Sequence, residues 1–200
     1  SGLIFSGEAP PGKQAITESY NGTSWTEVAD LNTAKSYLGG SNLSYTAALG
    51  FGGAVGTNQT ATTETWNGSA WTEVNDMATA RNSHGGTGAS NSSALAFGGY
   101  DGSTRSTNTE EWSFSGLDPS TTPAASYADA ITGDFYYNST TGQFKTVGTG
   151  VGAWSSGGAL NTGRENYGPA GVGPQTAALA VGGYTTTHVN NVEQYNGSSW

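Results

Sequence analysis

The chain has 200 residues, a net charge of −9, 32 glycines, no cysteine and only 10% charged residues. That length admits one domain, including a generous all-β one. Without Lys/Arg runs nucleic acid is excluded as a partner, without an apolar run near the ~18 residues of a membrane helix membrane insertion is not expected, and without cysteine disulfides, thiol nucleophiles and Cys-based zinc sites drop out.

A core is still affordable in aromatic residues, with six Trp, ten Tyr and six Phe, each burying a large area. The opening Ser1-Gly2-Leu3 carries no basic segment or cleavage pattern, so no targeting signal is expected there.

Fixed-period self-similarity organises the chain. Leu3-Ile4-Phe5-Ser6-Gly7 returns as Leu49-Gly50-Phe51-Gly52-Gly53, Leu95-Ala96-Phe97-Gly98-Gly99 and Leu179-Ala180-Val181-Gly182-Gly183, with the leucines 46, 46 and 84 positions apart. Glu18, Glu64, Glu110 and Glu193 march with them at intervals of 46, 46 and 83. Trp25, Trp71, Trp154 and Trp200 form a third series, and Lys35, Arg81 and Arg164 each follow their Trp by ten positions. Trp66 and Trp71 are five apart but Trp112 and Trp154 are 42 apart, which places about 37 extra residues between the latter two.

In chain order, each unit predicts four short strands. The first follows the basic residue, as in Arg81 to Gly86. The second is the Leu-x-Phe-Gly-Gly run. The third is Thr62 to Trp66, with Glu64 and Trp66 on one face by period two. The fourth starts at Trp71 and reaches Val74. Asn21-Gly22, Asn67-Gly68 and Asn196-Gly197 predict tight hairpin turns with both residues at positive φ. No helical periodicity appears.

Four strands every ~46 residues predict an all-β propeller, because a lone twisted sheet cannot bury both faces and stacked sheets can. The units fall at about 1–30, 31–76, 77–112 plus 154–159, and 160–200. Residues 113–153 form an insertion between strands three and four of the third unit. It contains a predicted hairpin, Asp134-Phe135-Tyr136-Tyr137 against Gln143-Phe144-Lys145-Thr146-Val147. The first unit lacks a first strand. The expectation is therefore an incompletely closed ring, either part of a larger one or one completed by a neighbouring chain.

These residues resemble kelch repeats. Met77-Ala78-Thr79-Ala80-Arg81-Asn82-Ser83-His84-Gly85 is similar to the kelch inter-blade segment, and Gly98-Gly99-Tyr100-Asp101-Gly102-Ser103 to its strand-two exit. Gly182-Gly183-Tyr184 through Val192-Glu193-Gln194-Tyr195 to Trp200 repeats the family spacing. Ser6 in place of a first glycine, and Ser113-Phe114 in place of Asn-Gly, depart from the pattern. The stretch Gly133 to Lys145 resembles a hairpin of phage tail-fibre and virion-appendage proteins. The Gly/Ser/Thr/Asn-rich style is similar to structural proteins of marine and cyanobacterial phages.

Residues repeated in every unit read as structural. These are Glu18, Glu64, Glu110 and Glu193; Lys35, Arg81 and Arg164; Trp25, Trp71, Trp154 and Trp200; and Gly52, Gly53, Gly98, Gly99, Gly182 and Gly183. A Glu–Arg pairing between strands or blades is expected. The double glycines open no helix and precede no Gly-Lys-Ser/Thr, so they are not phosphate loops. His84, aligned with Leu38 and Tyr167, reads as packing, and His188 as a loop residue without convergent metal ligands.

The resemblance to kelch proteins also raises copper oxidases with a Tyr–Cys cofactor, which zero cysteines remove, and sialidase-type sites, for which three arginines are too few. No catalytic residue, metal site or cofactor is expected. The singular feature is the insertion, and Phe135, Tyr136, Tyr137, Phe144 and Lys145 are the candidate binding residues, with packing of the hairpin onto its blade as the alternative. The resemblance implies a non-enzymatic structural or adhesive module on a virion surface or outside the cell. Its partners would be other virion proteins, copies of itself or a host surface glycan. An extracellular lectin-like propeller, a protein-interaction adaptor and a propeller enzyme are the other readings.

Overall fold

A computed structural model of the chain describes residues 2–115, 135–138, 143–146, 151–167 and 174–200. Those residues are all-β, with no helix, and they form several antiparallel sheets, none of them closed. The first sheet comprises β1 (Gly2–Ala9), β2 (Gly12–Tyr20) and β3 (Trp25–Val28). Then come β4 (Gly39–Ser44), β5 (Ala47–Phe51), the short ribbon β6 (Ala54–Val55) and β7 (Asn58–Gln59), β8 (Thr63–Trp66) and β9 (Trp71–Val74). The second sheet has the order β4-β5-β8-β9. The chain continues through β10 (Gly85–Ser90), β11 (Ser93–Phe97), β12 (Thr109–Ser115), the hairpin β13 (Phe135–Asn138) and β14 (Gln143–Thr146), and β15 (Val151–Ser156). The third sheet is β10-β11-β12-β15, and β16 (Leu179–Val181) with β17 (Val192–Gln194) forms the fourth.

The pairing locates the insertion. Trp112 lies opposite Trp154, as Trp66 lies opposite Trp71 and Tyr20 opposite Trp25, so the chain between Ser115 and Val151 stands where the other units have a short turn.

The alternation along β5 and β11 explains how successive sheets stack. Neighbouring residues on a strand point to opposite faces, yet both strands are buried residue after residue. Leu49 and Phe51 point to the third sheet and meet Ala94, Ala96, Met77 and Trp112. Leu95 and Phe97 repeat this against Ala178, Ala180, Leu160 and Tyr195, and Leu3 against Ala48, Trp66 and Trp71. Large side chains on one sheet thus face alanines on the next. The first strands of neighbouring sheets come closest. A Cβ on Gly86 would lie 2.9 Å from both Gly39 Cα and Gly40 N.

Two expectations from sequence change in detail. The first strand begins at Gly39 and Gly85, four residues after Lys35 and Arg81, because the intervening linker turns. Tyr37, Ser83 and Asn166 occupy the left-handed region there, with φ of 56°, 52° and 51°. The Asn-Gly segments are not two-residue turns. Residues 21–24, 67–70 and 196–199 form longer loops in which only the glycine has positive φ. The asparagine instead accepts backbone N–H bonds at Oδ1, from Thr23 and Ser24, Ser69 and Ala70, and Ser198 and Ser199. Ser6 keeps the geometry of the glycine it replaces, at φ 72° against 63°, 64° and 61° for Gly52, Gly98 and Gly182.

Gly86→Ala is expected to cost about 1–3 kcal/mol by forcing the sheets apart. Gly12→Ala, with nothing within 4 Å of its Cβ position, should be near neutral in the same urea titration. Equal midpoints for the two variants would refute close backbone approach as a packing requirement.

Candidate functional site

The repeated charged residues converge on one arrangement. Lys35 Nζ lies 3.0 Å from Glu64 Oε1, Arg81 Nη2 lies 3.0 Å from Glu110 Oε1, and Arg164 pairs with Glu193. Each base precedes its acid by 29 positions. All three cations are fully buried, and Glu64 and Glu110 nearly so. The other carboxylate oxygen accepts from the linker backbone three residues before the base: Asn32 N at 2.8 Å, Ala78 N at 2.6 Å and Asn161 N at 2.8 Å. Asn32 and Asn161 add a side-chain amide bond to the same oxygen. The cation also donates to strand carbonyls, as Lys35 does to Thr62 O and Arg164 to Gly182 O and Asn191 O.

The same basic residue grips the preceding sheet through its backbone. Gly53 N donates to Arg81 O at 2.9 Å, Gly99 N to Arg164 O at 2.7 Å and Gly7 N to Lys35 O at 3.4 Å. One residue therefore holds two sheets, the earlier through its carbonyl and the later through its side chain. The second glycine has φ of 103° at Gly53 and 92° at Gly99, and any Cβ there would strike the linker. The double glycine serves this contact. Burial pulls the Arg81 guanidinium below the usual arginine range, and the Glu110 carboxylate opposes that shift.

A second series escaped the sequence reading. Trp71 Nε1 donates to Thr17 Oγ1 at 3.0 Å, Trp154 Nε1 to Thr63 Oγ1 at 3.0 Å and Trp200 Nε1 to Thr109 Oγ1 at 2.9 Å. Each tryptophan thus reaches back to the sheet before its own. The threonines are 46 positions apart, which was the available signal.

The first sheet stands apart. Glu18 is half-buried, and among the described residues no cation pairs with it. Trp25 is 48% exposed, whereas Trp71 is 6% exposed. Of the four repeated glutamates, three are brought to a cation and, among the described residues, Glu18 is not.

His84 packs beside the Phe51 ring at 5.6 Å between centroids. Burial first, and the Arg81 guanidinium second, push its pKa down from 6.5 to about 3. His188 is exposed and stacks edge-on against Tyr184 at 5.3 Å. Arg105 lies over the same ring, 4.8 Å from the Tyr184 ring centre, and pairs with Glu165 at 3.0 Å. This loop group lies by Gly182-Gly183, at the sheet ends away from the Asn-Gly loops. In the insertion, the backbone pairs Tyr136 with Lys145 and Tyr137 with Phe144, with Phe135 opposite Thr146. The side chains of these five candidate binding residues lie outside what the structure describes.

No protein-family model matches the chain, and a search of curated proteins finds no match. Among the described residues, no helix is long and apolar enough to cross a membrane.

Arg81→Ala leaves Glu110 buried without its cation and should cost about 3–5 kcal/mol in urea denaturation. Arg105→Ala, at a pair whose arginine is 32% exposed, should cost about 0–1 kcal/mol. If the two losses matched, the staple would not be what holds the sheets.

The depressed His84 pKa carries a pH dependence with a definite sign. Between its unfolded value of 6.5 and its folded value of about 3, the unfolded chain binds a proton that the folded chain does not. The His84 contribution is thus intact above pH ~6.5 and is lost as pH falls through that window, at about 1.4 kcal/mol per unit of depression. His84→Leu should flatten the fall in melting temperature from pH 7 to pH 4. A parallel pH profile would count against a neutral buried imidazole.

Proposed function

We propose that the chain is a kelch-like β-propeller region of four repeat units, acting as a non-enzymatic structural and adhesive module on a phage virion surface, as a tail appendage, tail fibre or capsid decoration. The observation that supports this reading is the division of labour along the chain. Glu64, Glu110, Glu193, Lys35, Arg81 and Arg164 are consumed in buried contacts between and within sheets. The departure from the repeat is one long insertion rooted between β12 and β15. A stack stapled at each joint is a rigid platform, and the loops at its rim are free to vary for contact with virion subunits, further copies or a host glycan. Multiple copies on a particle would add avidity. The role needs no cofactor, and the surface setting is a virion or the extracellular space.

A lectin-like extracellular propeller is the second reading, and the Tyr184, His188, Arg105 and Glu165 group favours it, since a half-buried tyrosine ring beside an exposed histidine and charged hydrogen-bonding groups suits a sugar. A protein-interaction adaptor has no such observation behind it.

The test replaces residues 116–150 by the four-residue turn found at 67–70. Because long loops add little closure cost, the variant should unfold cooperatively within about 1 kcal/mol of the parent. It should also lose binding to host cells and to purified virions. Antibody against the chain should label intact virions. Retained binding in the variant, or labelling of cells with no labelling of particles, would overturn the virion reading; glycan binding abolished by Tyr184→Ala would then select the lectin.

A further inference from the structure

We propose that a cleft beside Glu110 is a binding site for a small primary carboxamide, formed where the third unit lacks two polar side chains that the other units carry. This inference is independent of the virion reading. It rests on comparing equivalent joints within the chain.

At the other two ion pairs an asparagine amide sits on the repeated glutamate. Asn32 Nδ2 donates to Glu64 Oε2 at 2.9 Å and to Trp71 O at 3.3 Å, and Asn161 Nδ2 donates to Glu193 Oε2 at 2.8 Å. The position 46 after Asn32 and 83 before Asn161 is Ala78. Its backbone N still donates to Glu110 Oε2, but the amide is gone. A carboxylate is missing as well. Asp30 and Asp76 accept from Thr17 N and Thr63 N at 3.3 and 3.2 Å, and the position 83 after Asp76 is Ala159. By the same interval, Ser156 and Gly157 stand where the second unit has Glu73 and Val74.

These four small residues meet. Ala78, Ser156, Gly157 and Ala159 line one cleft of about 140 Å³ together with Thr109 and Glu110. Glu110 is 3% exposed, and its Oε1, although 3.0 Å from Arg81 Nη2, accepts no hydrogen bond among the described residues. A buried carboxylate with an unused lone pair favours an incoming N–H donor. Arg81 already balances the charge of Glu110, so an ammonium would be a buried excess charge and a neutral donor is selected. The two missing side chains specify the rest of the ligand. An NH2 group in the place of the asparagine amide donates to Glu110 and to the carbonyl of Trp154, the counterpart of Trp71. An oxygen in the place of the aspartate accepts from the Thr109 N–H. A primary carboxamide carries both groups on one carbon, and the size of the cleft restricts it to a small one.

The test titrates the full chain with acetamide and follows backbone amide NMR shifts, with acetate and methylammonium as matched charged probes. Saturable shifts are expected at Ala78, Glu110 and Gly157, with acetamide binding at least tenfold tighter than either ion. Ala78→Asn restores the residue type found at 32 and 161, which the fold already accommodates. It should weaken acetamide binding at least tenfold by filling the cleft with the chain's own amide. Ala159→Asp should weaken it as well, by supplying the oxygen that the ligand would otherwise bring. Shifts that do not saturate, acetamide affinity unchanged by both substitutions, or tighter binding of methylammonium than of acetamide would overturn the proposal.

Discussion

The joints between successive sheets share one feature, a single basic residue in the linker, Lys35, Arg81 or Arg164, that contacts both sheets. A charge this deeply buried would be severely unfavourable alone. At Lys35, Arg81 and Arg164 it is matched by a carboxylate from the sheet that follows, and the carboxylate is in turn capped by linker N–H groups. The backbone carbonyl of the same residue is held by a glycine N–H of the sheet before. The contact therefore sets spacing and orientation together, and a sheet that slid or rotated would strand a charge. The alanine-against-leucine stacking supplies hydrophobic stabilisation but is tolerant in register; the ionic contact is not.

Much of this was legible in the sequence because it is periodic. Glu18, Glu64 and Glu110 at equal spacing, with a base ten residues beyond each tryptophan, mark positions under one repeated constraint. The displaced Trp154 marked where the period is interrupted, and Trp112 lies opposite it in the β12–β15 register. What sequence could not supply was direction in space. Nothing in the spelling of Trp71 says that its indole N–H reaches Thr17 in the sheet before its own. Threonine is common in this chain, so an equally periodic series hid among many look-alikes. The turn geometry misled for a local reason. Asn-Gly favours a two-residue hairpin, but here the asparagine side chain is used as an acceptor and the loop lengthens around it.

Tyr195 and Glu111 add a cross-sheet contact that no repeat announced. The Tyr195 hydroxyl donates to Glu111 Oε1, and Gln175 Nε2 donates to Oε2 at 3.2 Å. Burial and that carboxylate raise the tyrosine to about 12, so the phenol stays a donor at neutral pH. The contact ties the end of the two-stranded β16–β17 sheet to the four-stranded third sheet. The candidate binding hairpin was legible as a hairpin, since two β-prone runs on either side of the turn-forming residues from Asn138 to Gly142 specify one.

The extended roots of the insertion carry one more implication. β12 and β15 stay paired through Ser113, Phe114 and Ser115, well past the level at which β8 and β9 end with Trp66 opposite Trp71. At ~3.3 Å per residue, this carries the β12–β15 pair about 10 Å beyond that level, with β11 alongside only as far as Ser113. Sequence change in residues 116–150 is thereby separated from the ionic joint at Glu110, which lies towards the other end of β12.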